Sequence, residues 1–161
     1  MRGGALPPAL LAAALGLALA FASPRNRGIG LGLFALVAIT VSRLPWPRAG
    51  LDGVFLALWG SLVATAGSVH LPPRRKGALA LPLAANAGVW AGGVIAVTGA
   101  PGDLVAALPW ALVALPGVCL AETRAAIALK VVASWLIAVA GLAALLPFLP
   151  VTPGYLPDHL D

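Results

Sequence analysis

Apolar residues run along the chain in long blocks, separated by short breaks rich in proline, glycine and arginine. The blocks lie at 5–22, 28–42, 51–71, 77–98, 103–121 and 125–149. About 20 apolar residues carry a helix across a hydrocarbon layer of roughly 30 Å, and most blocks come near that length. The breaks read "SPRNR", "RLPWPRAG", "PPRRK", "GAPG" and "ETR", the punctuation of helices that stop at an interface. The pattern predicts an all-α polytopic membrane bundle of six helices with short loops, forming a single transmembrane domain over 1–161. The second block is the shortest, and without it the number is five. Residues 150–161 are left as a short tail.

The first block has a rival reading. Met1-Arg2, an apolar stretch and then Ala20-Phe21-Ala22 before Ser23 match a secretory signal with an A-x-A cleavage site. The reading adopted is a helix that stays in the bundle.

Composition supports the membrane assignment. The chain is 61% apolar and 9% charged, with a mean hydropathy of +1.01, where a soluble domain carries about 25% charged residues. The net charge of +5 does not point to nucleic acid, because the ten cations are scattered between apolar runs and build no basic face. They read as topology signals and lipid-headgroup contacts, notably Arg25, Arg27, Arg74, Arg75, Lys76 and Arg124. The single cysteine, Cys119, allows no intrachain disulfide and no cysteine-based metal cluster. No cofactor is expected. The abundance of Ala, Gly and Pro, and of Arg over Lys, suggests a GC-rich bacterial genome, hence a bacterial inner membrane.

Charge sets an orientation. The first, third and fifth connections carry Arg25, Arg27, Arg74, Arg75, Lys76 and Arg124, with Lys130 close by, whereas the other side carries Arg2, Arg43 and Arg48. The excess of Lys and Arg belongs on the cytoplasmic side, so both termini are predicted outside the cytoplasm. Lys130 then lies about 8 Å into the last helix. Its stem can return the ammonium to the headgroups. The competing reading is an intramembrane cation that faces the bundle, paired with Glu122 or holding an anionic substrate.

Small residues suggest where helices meet. Ala80, Ala84, Gly88, Gly92, Ala96 and Ala100 recur every four residues, and such a ladder lets a second backbone come close. Ala12, Gly16 and Ala20 form a shorter one.

Polar residues within the blocks are few. Ser61, Thr65 and Ser68 share one face of the third helix and either bond to their own backbone or line a polar path. Asn86, the one amide inside the apolar runs, must find partners in the bundle interior, with Trp90 one turn later on the same face. Pro109 and Pro116 predict a kink or break near each. Broken helices hold ions in some transporters, and elsewhere are plain kinks.

Enzyme motifs are missing. "GAPGD" at Gly99–Asp103 departs from the GxGD of intramembrane aspartyl peptidases, with Pro101 where that motif has Gly and no lysine after it. Helix capping accounts for Asp52 and Asp103. His70 has no second histidine or carboxylate at ligand spacing on its side, so no metal site is expected there. His159 with Asp158 and Asp161 gives three potential ligands in a Pro-flanked tail, read as a tail that dangles or docks rather than a metal site.

Two functions fit these features. One is a small integral subunit or accessory protein within a larger membrane complex, with lipids and other membrane subunits as partners. The other is a small homo-oligomeric transporter or channel. In that case Ser61, Thr65, Ser68, Asn86, Trp90, Pro109, Pro116 and Lys130 should approach one path. A weak 3+3 resemblance between the halves would suit it.

Overall fold

The computed structural model describes residues 4–46, 50–123 and 125–148, with backbone alone at 73–76, 101 and 147. The described residues form helices α1 (Leu6–Ala20), α2 (Pro24–Ser42), α3 (Leu51–Ser68), α4 (Pro73–Thr98), α5 (Pro101–Ala107), α6 (Ala114–Ala121) and α7 (Ala126–Leu145). A 3-10 segment, Leu108–Val113, joins α5 to α6 into one rod, and a 3-10 turn, Leu146–Phe148, follows α7. Among the described residues, four helices are long and apolar enough to cross a membrane: Leu51–Ser68, Gly77–Thr98, Gly102–Ala121 and Ala126–Leu145. α1 is apolar but shorter, at 15 residues.

The prolines of the breaks start helices rather than merely ending them. Pro24, Pro73 and Pro101 each occupy the first turn of α2, α4 and α5, where the missing N–H has no intrahelical partner to lose. Ser23 caps α2, its Oγ accepting from Asn26 N at 3.3 Å. Asp103 closes the start of α5 by accepting from Ala100 N at 2.8 Å. Asp52 lies in the first turn of α3, where Gly50 holds the cap position.

α1 occupies the centre. Leu11, Ala12, Ala14, Leu15, Leu17 and Leu19 are buried around its whole circumference, and it packs against α3, α4, the 3-10 segment and α6. A helix apolar on every side has no polar face to turn to water, so burial all round is its natural place.

α2 packs chiefly against α4. Its buried positions are Gly30, Phe34 and Ala38, and these climb α4 in step with Ala84, Gly88 and Gly92. A Cβ built on Gly30 would lie 3.8 Å from Ala84 Cβ; one on Gly88 would meet Phe34 O at 2.9 Å; one on Gly92 would meet Ala38 O at 2.5 Å. The two series rise together, so the helices are parallel and their backbones nearly touch. Ala80 is buried, whereas Ala96 is half-buried and Ala100 exposed.

The rod changes helix type twice, near Pro109 and near Pro116. At Pro109 the helix tightens to 3-10 geometry, but α6 runs unbroken through Pro116. Pro116 falls in the first turn of α6, where proline is tolerated, two residues after the 3-10 segment gives way to α geometry. In a 3-10 helix residues three apart eclipse, which aligns Ala111 with Ala114. Gly16 of α1 lies against both: a Cβ there would come within 2.7 Å of Ala111 O and 3.0 Å of Ala114 N. One turn on, a Cβ on Gly117 would lie 2.9 Å from Ala20 Cβ.

These contacts gather the C-termini of α1, α3 and α6 and the N-termini of α2, α4 and α7 at one end. Asn26 Nδ2 reaches Gly77 O there at 3.5 Å. Arg25, Arg27, His70 and Glu122 also lie at this end, called below the basic end.

Candidate functional site

Asn86 stands near the middle of α4 and joins two partners. Its Nδ2 donates to Ser61 Oγ on α3, and its Oδ1 accepts from Trp90 Nε1 at 3.1 Å. The four-residue spacing puts Trp90 directly above Asn86 on α4. Trp90 meets Trp46 edge to face, ring centroids 6.3 Å apart, and Trp46 lies over Gly93, where a Cβ would approach its ring at 3.2 Å. Trp46, from the break after α2, was not singled out by the sequence; the absence of a side chain at Gly93 is the one local sign of it.

The α3 hydroxyls diverge in what they do. Ser61 is taken by Asn86. Ser68 Oγ donates to Thr65 O at 2.6 Å, the back-bonding common in apolar helices. Thr65 is fully buried, and its Oγ1 has no hydrogen-bond partner among the described residues. Beyond these, His70 Nε2 lies 3.3 Å from Ser134 Oγ, linking α3 to α7 at the exposed surface.

The other polar and proline candidates lie elsewhere. Pro109 and Pro116 are exposed on the rod. Lys130 is exposed on the second turn of α7, away from the inward face formed by Leu129, Ala133, Leu136 and Ala140. It makes no hydrogen bond or ion pair with Glu122 or Asn86 among the described residues. Arg25 is exposed. Arg27 is half-buried and caps α1: Nε donates to Leu19 O at 3.3 Å, and Nη2 to Ala20 O at 3.4 Å and Ala22 O at 3.0 Å. Leu19 O also accepts from Ala22 N at 3.0 Å, and carbonyls at a helix C-terminus lack the full set of intrahelical donors, so Arg27 closes the central helix. Spacing along the chain hides this role, because it depends on how the chain turns back at Ser23. The side chains of Arg74, Arg75 and Lys76, together with Arg2, Arg48, Arg124, Asp158, His159 and Asp161, lie outside the described residues.

Chemically the Asn86 centre is a fixed, neutral network. It contains no titratable group and no nucleophile beside a base, and it can hold helices in register or offer an amide to a polar guest. Among the described residues, no three His, Cys, Asp or Glu side chains come together as a metal site would need. In comparisons with known proteins, no family model, no curated protein and no solved structure matches the chain.

Proposed function

We propose that the chain is a small integral subunit or accessory protein that packs within a larger complex of a bacterial inner membrane. It crosses six times and keeps both termini outside the cytoplasm. The observation that supports the subunit reading is the dispersal of the polar residues. Asn86 joins α3 to α4, His70 meets Ser134, Arg27 caps α1 and Lys130 is exposed, and among the described residues no hydrogen bond joins one of these four to another. A transporter needs such groups along one path; a packing subunit needs them as separate ties between helices. The apolar outer surface of the rod and α7, with Val105, Trp110, Ile127 and Trp135 all more than half exposed, offers room for lipid and for neighbouring subunits.

The test is the native mass of the protein extracted in mild detergent from its own organism. Other chains in fixed ratio are the expected result. A monomer or a pure homo-oligomer would overturn this reading in favour of a small transporter, and flux through Asn86→Leu and Lys130→Gln variants would then decide that case. For orientation, Cys119→Ser carrying a single cysteine at Arg25 or Arg43 is treated with an impermeant thiol reagent on intact cells. Label at position 43 and none at 25 is expected; the reverse would invert the topology.

A further inference from the structure

Two clefts follow one another along the seam between α2 and the α5–α6 rod. The first, of about 300 Å³, opens at the basic end and is lined by both Arg27 and Glu122, with Ala20 of α1 in its wall. The second, of about 290 Å³, lies deeper between Leu31, Phe34 and Ala35 of α2 and Leu108 and Leu112 of the rod. On α2 the lining positions 27, 31, 34 and 35 recur at helical spacing, so both clefts lie on one face. The rod descends in the same way from Glu122 to Leu108. α2 and the rod make no extended contact of their own, which leaves the seam open along its length.

The two ends of this seam differ in chemistry. At the basic end Arg27 binds α1 through Nε and Nη2, and Nη1 has no partner among the described residues. Glu122 is the C-cap of α6, where its carboxylate meets the negative pole of the helix, a place that favours a cation. No ion pair joins Glu122 to Arg27. The deeper cleft is apolar. Arg27 and Phe34 are about 10 Å apart along the helix axis, a span that one acyl chain covers.

We propose that this seam holds one molecule of phosphatidylethanolamine. Its phosphate meets Arg27, its ammonium meets Glu122, and one acyl chain lies between Leu31, Phe34, Leu108 and Leu112. The assignment needs only that the bundle is in a membrane, and it does not rest on the subunit reading. Phosphatidylcholine offers the same phosphate, but its quaternary nitrogen has no N–H to donate. Phosphatidylglycerol offers the phosphate and nothing cationic for Glu122.

The experiment is native mass spectrometry of the purified full chain with each of the three lipids at equal concentration. One phosphatidylethanolamine per chain should be retained about fivefold better than either other lipid, the worth of one partly exposed ion pair. Glu122→Gln, on an exposed side chain, should lower it to the level of phosphatidylcholine. Ala35→Trp fills the deeper cleft and should abolish retention of all three, with Leu112→Trp, at a half-exposed site, as the second variant if the first loses its helical circular dichroism. Equal retention of the three lipids, preference for phosphatidylglycerol, or a preference that survives Glu122→Gln would overturn the proposal. So would retention unchanged by the tryptophan that folds.

Discussion

Gly92 of α4 stands so close to Ala38 of α2 that a Cβ on the glycine would lie 2.5 Å from the alanine's carbonyl oxygen. The obstacle is backbone and cannot rotate away. Gly92→Ala should therefore separate α2 from α4 and cost roughly 1–3 kcal/mol of stability, the usual range for overpacking. Gly60 is the control, since a Cβ there meets nothing within 4 Å. Gly60→Ala should cost nothing. Unfolding of both variants in mixed micelles measures the difference, and equal losses would mean that α2 does not seat on Gly92.

The Asn86 network is open to a double-mutant cycle. Asn86→Leu removes the bonds to Ser61 and Trp90, and Ser61→Ala removes one of them. A coupling of about 0.6–2 kcal/mol is expected between positions 86 and 61. Trp90 fluorescence should shift in Asn86→Leu and stay in place in Ser61→Ala. Strict additivity would sink the contact.

Thr65 makes the opposite prediction. Its hydroxyl is buried without a hydrogen-bond partner among the described residues, and an unsatisfied buried polar group costs about 1–3 kcal/mol. Thr65→Val keeps the shape and deletes the hydroxyl, so it should raise the unfolding midpoint. A clear loss of stability would show that the hydroxyl is bonded, for instance through a water held inside the bundle.

Lys130 is exposed and should be replaceable. Lys130→Gln is expected to change stability by less than about 0.5 kcal/mol. A spin label at position 130, in a Cys119→Ser background, should report headgroup depth from its accessibility to polar and apolar relaxants. A reading at the bilayer midplane would contradict a lysine that reaches the surface.

How far the fold can be read from the sequence depends on whether a feature is local. Four-residue spacing places Asn86 beneath Trp90 and aligns Gly88 with Gly92, because a single helix fixes both. Which helix fills the groove is not local. The facing stripe on α2 contains Phe34, and α2 is apolar enough around its circumference that Gly30, Phe34 and Ala38 do not stand out. The Ala12, Gly16 and Ala20 series in α1 resembles the background of an Ala- and Gly-rich chain, and only the 3-10 segment opposite gives it a partner. Proline alone does not fix a break either: α4 contains Pro82 and stays continuous, whereas Pro109 and Pro116 each lie within two residues of a change of helix type. Arg27 shows the same limit at the candidate site, since counting charges records its sign but not the three carbonyls it closes.

The central place of α1 also orders events in time. Synthesis delivers this helix before any of its neighbours exist. It must first stand without them, and is then covered by α3, α4 and the rod as each arrives. A helix apolar on every side keeps no polar face turned outward, so each arriving helix can cover it. Assembly of the described helices is thus an enclosure of α1, and α7, the last of them in chain order, finishes at the rim with most of its surface still facing outward.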